Sequence, residues 1–482
     1  MNGTGIDTES LPLLFWACGL LIALLSGYAL HQRRSSWALP CLAVLGTTTV
    51  WYLGDIVYTG IGPISSLFPE RVIHRALWQV ILFLVSYGLL CKEVSRWFVR
   101  GREDDRLIFE QSDIFETEKA QRQITMALWF AAIGWVVIFL ISQYRNGWPL
   151  KASLFPYLTG RHVPLWGRDR LGGATGFLIA TGAFIHQFFS AMLGVVFILS
   201  RRPRTRIVAG IMVALAWPFW LVGYARSVIL ALVVPAACGF FLFSRHRLAY
   251  RVATVLVLFL ALNLWLKLVI ATRTSGGVAE TFVEIVEGRQ SSDFIKTRKH
   301  RGLDMFKELC YMNHYIEKGT YDVNWGRGYF AELVNFIPRA WWHGKPTVGI
   351  EFSIARGSRT RGKGKDLVTS LITPGMVGQG VENFGYVLGP VAAAFLMSLW
   401  TGILAMFWTQ RHSVVRACLF LVGLGLTFNS GRVITLQVFF PIVFGYLMIR
   451  IYEQIEQRHA AVTVGPTEPA TSPPPAAPAP PH

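Results

Sequence analysis

Windows of about 20 apolar residues recur along most of the chain, each closed by a short polar turn, and that recurrence constrains the fold more than any single motif. A helix needs about 20 such residues to cross about 30 Å of hydrocarbon. About eleven windows meet the condition: 11–30, 37–58, 72–91, 124–142, 173–199, 207–223, 227–243, 249–271, 381–408, 414–428 and 433–450. With 53% hydrophobic and only 15% charged side chains among 482 residues, the composition excludes a pair of ordinary soluble domains. The expected class is all-α, a polytopic transmembrane bundle of about eleven spans with one large, partly helical loop.

The formal charge of +18 would suggest nucleic acid in a soluble protein. Here much of it sits in short turns: Arg33 and Arg34; Lys92, Arg96, Arg100, Arg102 and Arg106; Arg201, Arg202, Arg204 and Arg206; Arg245, Arg247 and Arg251; Arg411 and Arg416. Alternating spans put all five turns on one side, which the positive-inside rule makes cytoplasmic. The N-terminus is then outside, the C-terminus inside, and the long loop extracytoplasmic. The predicted organisation is 1–271 for the first eight spans, 272–380 for the loop, 381–450 for the last three and 451–482 for a cytoplasmic tail, disordered and Pro/Ala-rich from about 464. No Lys or Arg precedes Leu11, so a cleaved signal is not expected and the first span is retained. The six cysteines show no disulfide or metal spacing.

Inside the loop, Val278, Phe282, Ile285 and Val286 predict one amphipathic helix, and Leu303, Phe306, Leu309, Cys310 and Ile316 a second that stops near Gly319. Tyr329 to Phe336 predict a third, ended by Pro338. The glycine-rich, cationic run 356–366 is expected to be mobile, and Lys296–Arg301 to be a solvated basic face.

Three arginines stand where an outward anion site would form: Arg226 and Arg432, each just before a re-entering helix, and Arg339 in IPRAWW. A helix N-terminus suits a phosphate, and guanidinium forks add bidentate bonds to its oxygens. Ser227 is an expected cap for one re-entering helix, and Asn429 and Ser430 for the other. Lys345, His343, Trp341, Trp342 and Tyr329 join the substrate-binding set. The rings either stack on sugar faces or form an interfacial belt. Glu382 in GVENFG is the first candidate for a general base, ahead of Glu332, Glu351 and Asp366, with Asn383 beside it in the binding set. Asp55, His186 and Lys267 lie in or near spans and are expected to face the bundle interior. No Walker loop, HExxH, GxSxG or CxxC pair is present, so neither a metal nor a nucleotide cofactor is expected.

IPRAWWHGKP (337–346), ENFGYVLGP (382–390) and GYARSVILAL (223–232) in a multispan chain with one large loop resemble the Wzy-type O-antigen and exopolysaccharide polymerases. The resemblance implies transfer of a growing glycan from its undecaprenyl diphosphate carrier to the sugar of a new lipid-linked repeat unit. That chemistry belongs to the outer face of the bacterial inner membrane. Implied partners are undecaprenyl-diphosphate-linked oligosaccharide, membrane lipids and a chain-length regulator, with no nucleic acid. Diphosphate and glycan binding carries over to Arg226, Arg339 and Arg432. One departure is the outward N-terminus, where family members commonly keep both termini inside. An O-antigen ligase shares this layout, and a flippase, a transporter or a non-catalytic envelope subunit are the further alternatives.

Overall fold

A computed structural model describes residues 11–99, 115–154, 176–221, 226–272, 304–337, 341–346, 350–357, 359–362, 365–368, 372–411, 413–432, 434 and 436–463. The fold is a helical bundle. Its helices are α1 (Leu13–His31), α2 (Ala38–Thr59, with a π-helical turn at Thr49–Leu53), α3 (Glu70–Val99), α4 (Glu118–Arg145), α5 (Gly176–Leu199), α6 (Pro203–Leu221), α7 (Arg226–Phe243) and α8 (Leu248–Thr272). The intervening loop contributes α9 (Met305–Glu317), α10 (Arg327–Leu333) and α11 (Ile350–Ala355). The chain closes with α12 (Gly375–Thr409), α13 (Val414–Ser430) and α14 (Leu436–Thr463).

Among the described residues six helices are long and apolar enough to cross a membrane: α1 to α4, residues Thr181–Leu199 of α5, and α12. Four further apolar stretches are shorter, Ile229–Phe243, Leu248–Leu262, Val414–Ser430 and Val438–Ile451. Six therefore stand on length and composition, where about eleven windows were expected. Leu13, Leu20 and Leu24 of α1 and Val257, Leu260 and Leu264 of α8 are exposed. Water would oppose such faces and lipid would cover them, so the chain is a membrane protein.

One end of the bundle is arginine-rich and tied together by two glutamates that lead into α4. Glu116 pairs with Arg201 after α5 and with Arg245 after α7; Glu118 pairs with Arg202 and Arg122. The turns after α5 and α7 therefore meet the start of α4. Lys92 of α3 reaches the Tyr28 hydroxyl of α1 at 3.4 Å.

At the opposite end, hereafter the loop end, α9 is fastened along its whole length. Its Phe306, Leu309, Cys310 and Met312 are buried, and Gly319, at φ 67°, follows its end. Asp55 of α2 lies fully buried and accepts from the Lys307 amide at 3.0 Å, filling a free donor at the start of α9. Gln79 of α3 and Asn313 exchange amide hydrogen bonds at 2.9 and 2.7 Å. Arg71 and Arg75 hold Glu317 at 2.6 and 3.0 Å. Asp55, expected to face the interior, thus serves as a cap for a loop helix.

The loop also holds one element that the sequence did not predict. Within the run at 356–366, Arg359–Gly362 pairs antiparallel with Lys365–Val368, a small hairpin among otherwise helical described elements. Arg356 itself makes a bidentate bond to Glu308 at 2.7 and 2.9 Å and lies 3.5 Å over the Tyr311 ring. The predicted helix at 278–286, the basic run 296–301 and the tail from 464 lie outside the described residues.

The Glu308 side chain is 2% exposed and that of Arg356 10%. Removing one partner strands a buried charge, at a cost of about 3–5 kcal/mol. Glu308→Ala or Arg356→Ala should therefore lower the thermal midpoint of the purified protein by several degrees. The double variant Glu308→Leu/Arg356→Met should recover much of the loss. A single variant melting like the parent would show that the pair adds nothing.

Candidate functional site

The ninth predicted span does not begin as a straight helix at 381. Helix α12 is two helices joined at Gly385, whose φ of 77° and ψ of −169° no L-residue adopts readily. The chain reverses there, and the reversal is tight: a Cβ on Gly380 would strike the Gly389 backbone, and one on Gly389 would strike Gly380. Residues 375–384 form a short arm lying back against the long arm, 386–409.

Ending a helix at 384 orphans its last carbonyls, and the loop supplies their donors. Asn324 donates its amide to the Glu382 carbonyl at 3.0 Å, and Gly326 to that of Asn383 at 2.9 Å. The Asn383 side chain is fully buried; its Oδ1 accepts from the Tyr329 amide at 3.0 Å and its Nδ2 donates to the Gln379 carbonyl at 2.8 Å. Asn383 therefore docks the first turn of α10 onto the short arm.

Glu382 is buried, and the Tyr321 hydroxyl donates to its Oε1 at 2.6 Å. The Tyr329 hydroxyl is also buried and has no partner among the described residues. Burial first, then the Glu382 charge, pushes both phenols well above their ordinary range. One carboxylate and two tyrosines thus gather under α10, one helical turn beyond Gln379.

Gln379 fixes the next piece. Its Nε2 donates to the Ile434 carbonyl at 3.1 Å and its Oε1 accepts from the Ile434 amide at 2.9 Å. Met376 donates its amide to the Gly431 carbonyl at 3.2 Å, and Arg432 Nε donates to Thr373 Oγ1 at 3.2 Å. The short arm and the turn carrying Arg432 are one assembly. A side chain at Gly431 would strike Thr47 and Trp51, in the middle of α2 and well before its end at Thr59, so this turn is recessed below the tip of α2.

Helix α7 is antiparallel to α13, with Gly425 against Pro235 and Gly239 against Leu421. That register carries the end of α13 and Arg432 to the level of Arg226, the first described residue of α7. Helix α5 runs parallel to α7, with Gly194 against Leu232 and Ala236 and Gly239 close to Ile198, which brings His186 and Gln187 to the same level. Gln187, seven residues before Gly194, lies on the face turned to α7; Asn429, four residues after Gly425, lies on the corresponding face of α13. Both are buried, at 5% and 4% exposure, and Gln187 Nε2 and both Asn429 amide atoms lack a partner among the described residues. Such amides cost about 1–3 kcal/mol each unless water or a ligand meets them.

Of the predicted site residues, the structure brings Arg226 and Arg432 to one level and sets Glu382 and Asn383 on the arm beside it. Arg339 lies outside the described residues. His343 and Trp341 are exposed, and Trp342 meets Phe330 edge-on at 6.3 Å. Lys345 is buried, and its ammonium donates to the carbonyls of Asn335 and Ile337 at 2.9 and 2.8 Å. Lys345 thus ties the segment 341–346 to residues 335–337. His186 packs against Trp135 at 5.0 Å. Asn429 and Ser430, expected to cap the next helix, instead end α13, with Ser430 Oγ bonded to the Thr427 carbonyl at 2.6 Å. Ser227 lies within the first turn of α7 as described. Gln187 and Gln379 enter the site unannounced, whereas Tyr321, one of the loop aromatics the sequence offers for stacking on sugar rings, instead donates to Glu382. For Gln187 the signal was present, a second polar residue beside His186 in an apolar span.

Among the described residues no group of three or more His, Cys, Asp or Glu side chains is placed to hold a metal. The chain matches no protein-family model, no curated protein and no solved structure.

An unfolded tyrosine ionises near pH 10, whereas folded Tyr321 and Tyr329 hold their protons to higher pH. Their contribution to stability is therefore intact below about pH 10 and lost as pH rises above it. Melting temperatures at about pH 8 and about pH 10.5 should fall further in the parent than in Tyr321→Phe. Equal losses in the two proteins would mean that the Tyr321 phenol is in water.

Proposed function

We propose that this protein is an integral-membrane glycosyltransferase that polymerises undecaprenyl-diphosphate-linked oligosaccharide repeat units at the outer face of a bacterial inner membrane. In this reading α1 to α8 and α12 to α14 are eleven spans. The arginine-rich end is cytoplasmic and the loop end extracytoplasmic. The observation that carries the proposal is that helix register sets Arg226 at the level of the turn at Arg432, to which the arm that bears Glu382 is hydrogen-bonded. Three stretches distant in sequence supply cations and a carboxylate to one end of the bundle. The motifs 337–346 and 382–390 resemble those of Wzy-type polymerases, and the second of them carries Glu382.

The chemistry follows from the residues. The donor glycan is already activated by its diphosphate. The acceptor hydroxyl attacks the anomeric carbon of the donor, a new glycosidic C–O bond forms, and the C–O bond to the diphosphate breaks. Arg226, Arg432 and Arg339 bind the departing diphosphate and offset its growing charge, a preorganised electrostatic role. Glu382 accepts the hydroxyl proton, and Tyr321 positions that carboxylate by donating to it at 2.6 Å.

Deleting the gene and separating the surface polysaccharide on a gel tests the class. Loss of a polymerase leaves single-repeat material; unattached polymer would indicate a ligase, and no exported repeat a flippase. With expression unchanged, Arg226→Ala, Arg339→Ala and Arg432→Ala should each abolish polymer, and Arg298→Ala should change it little. Normal polymer from Arg432→Ala would remove the recessed turn from the site.

A further inference from the structure

A groove of about 130 Å³ opens on the side of the bundle, far from the loop end, between α4, α5, α13 and α14. Met126, Met192 and Met448 form its walls, and Phe188 and Gly445 its floor. A side chain at Gly445 would strike Phe188, so the glycine keeps the groove open. Met126 is 44% exposed, so the groove faces the space that lipid fills. It runs along the helix axis, since its α4 residues Gln123, Met126 and Phe130 share one face. An acyl chain in a bilayer has that direction. Three unbranched methionines give walls that adapt to a flexible chain.

The end of the groove is charged. Gln123, Val415 and Ile449 line it there, and the chain neighbours of all three are arginines: Arg122, Arg416 and Arg450. Two carboxylates at this mouth are already engaged. Glu118 is held by Arg122 and Arg202, and Glu453 by Arg416 at 2.7 Å and Arg450 at 4.0 Å. Lys119 lies one turn beyond Gln123 on the same face, ~6 Å along the axis. It is exposed, and no partner for it occurs among the described residues. An apolar slot of acyl-chain direction therefore ends at a lysine placed for a phosphate.

We infer that this groove is a binding site for one acyl chain of an anionic phospholipid, with the headgroup phosphate on Lys119, in the leaflet at the arginine-rich end. The site is independent of the chemistry assigned to the loop end.

Native mass spectrometry of the full chain in detergent, with phosphatidylglycerol or phosphatidylcholine of matched acyl chains, tests it. The parent should retain phosphatidylglycerol in preference. Lys119→Glu should lower that retention about tenfold and leave phosphatidylcholine unchanged. Met192→Trp, which fills the slot, should lower both, and glycerol phosphate, which has no acyl chain, should not compete. Equal retention of the two lipids by the parent, or an unchanged Lys119→Glu, would reduce the groove to ordinary lipid-covered surface. Lys119 is exposed, so its variant should fold even if the tryptophan variant does not.

Discussion

The reversal of the chain at Gly385 is the constraint on which the loop end depends. Two backbones approach so closely at Gly380 and Gly389 that neither position tolerates a side chain. The turn then leaves carbonyls at Glu382 and Asn383 without helical donors. In a membrane protein an unmet carbonyl at that level is expensive, and the segment around Asn324 and Gly326 meets both. Loop and bundle are thus joined by main-chain hydrogen bonds as well as by side-chain packing.

The same economy recurs around α9. A buried carboxylate in α2 and amide and cationic partners in α3 hold the two ends and the middle of this loop helix. Polar residues that look costly in their own spans become fixtures for a neighbouring element. The consequence is rigidity: Glu382, Asn383 and the turn at Arg432 rest on a frame fastened to α2, α3 and α13.

Much of this frame was legible beforehand. Helical periodicity over Phe306, Leu309 and Cys310 identified α9, because a surface helix must bury one face. Cationic turns after the fifth and seventh windows foretold the arginine-rich end, which Glu116 and Glu118 draw together. Other features carried no local signal. Glycine at 380, 385 and 389 reads as ordinary small-residue spacing until the close approach is seen, and Asn429 reads as a cap because its helix ends only at Ser430. The hairpin at 359–368 was hidden because a cationic, glycine-rich run has no apolar alternation.

Composition and period by themselves determined that this chain is a membrane-embedded helical bundle, with its cations gathered in the turns of one end and one long polar loop. Those properties are local sums of hydrophobicity and charge, and each window carries its own. Only the tertiary structure decided that residues 375–384 fold back on the ninth span, that Gln379 is spliced to Ile434, and that Gln187 and Asn429 face α7 near Arg226. These are relations between segments tens to hundreds of residues apart, set by which glycines allow two helices to touch and which carbonyls then need a donor.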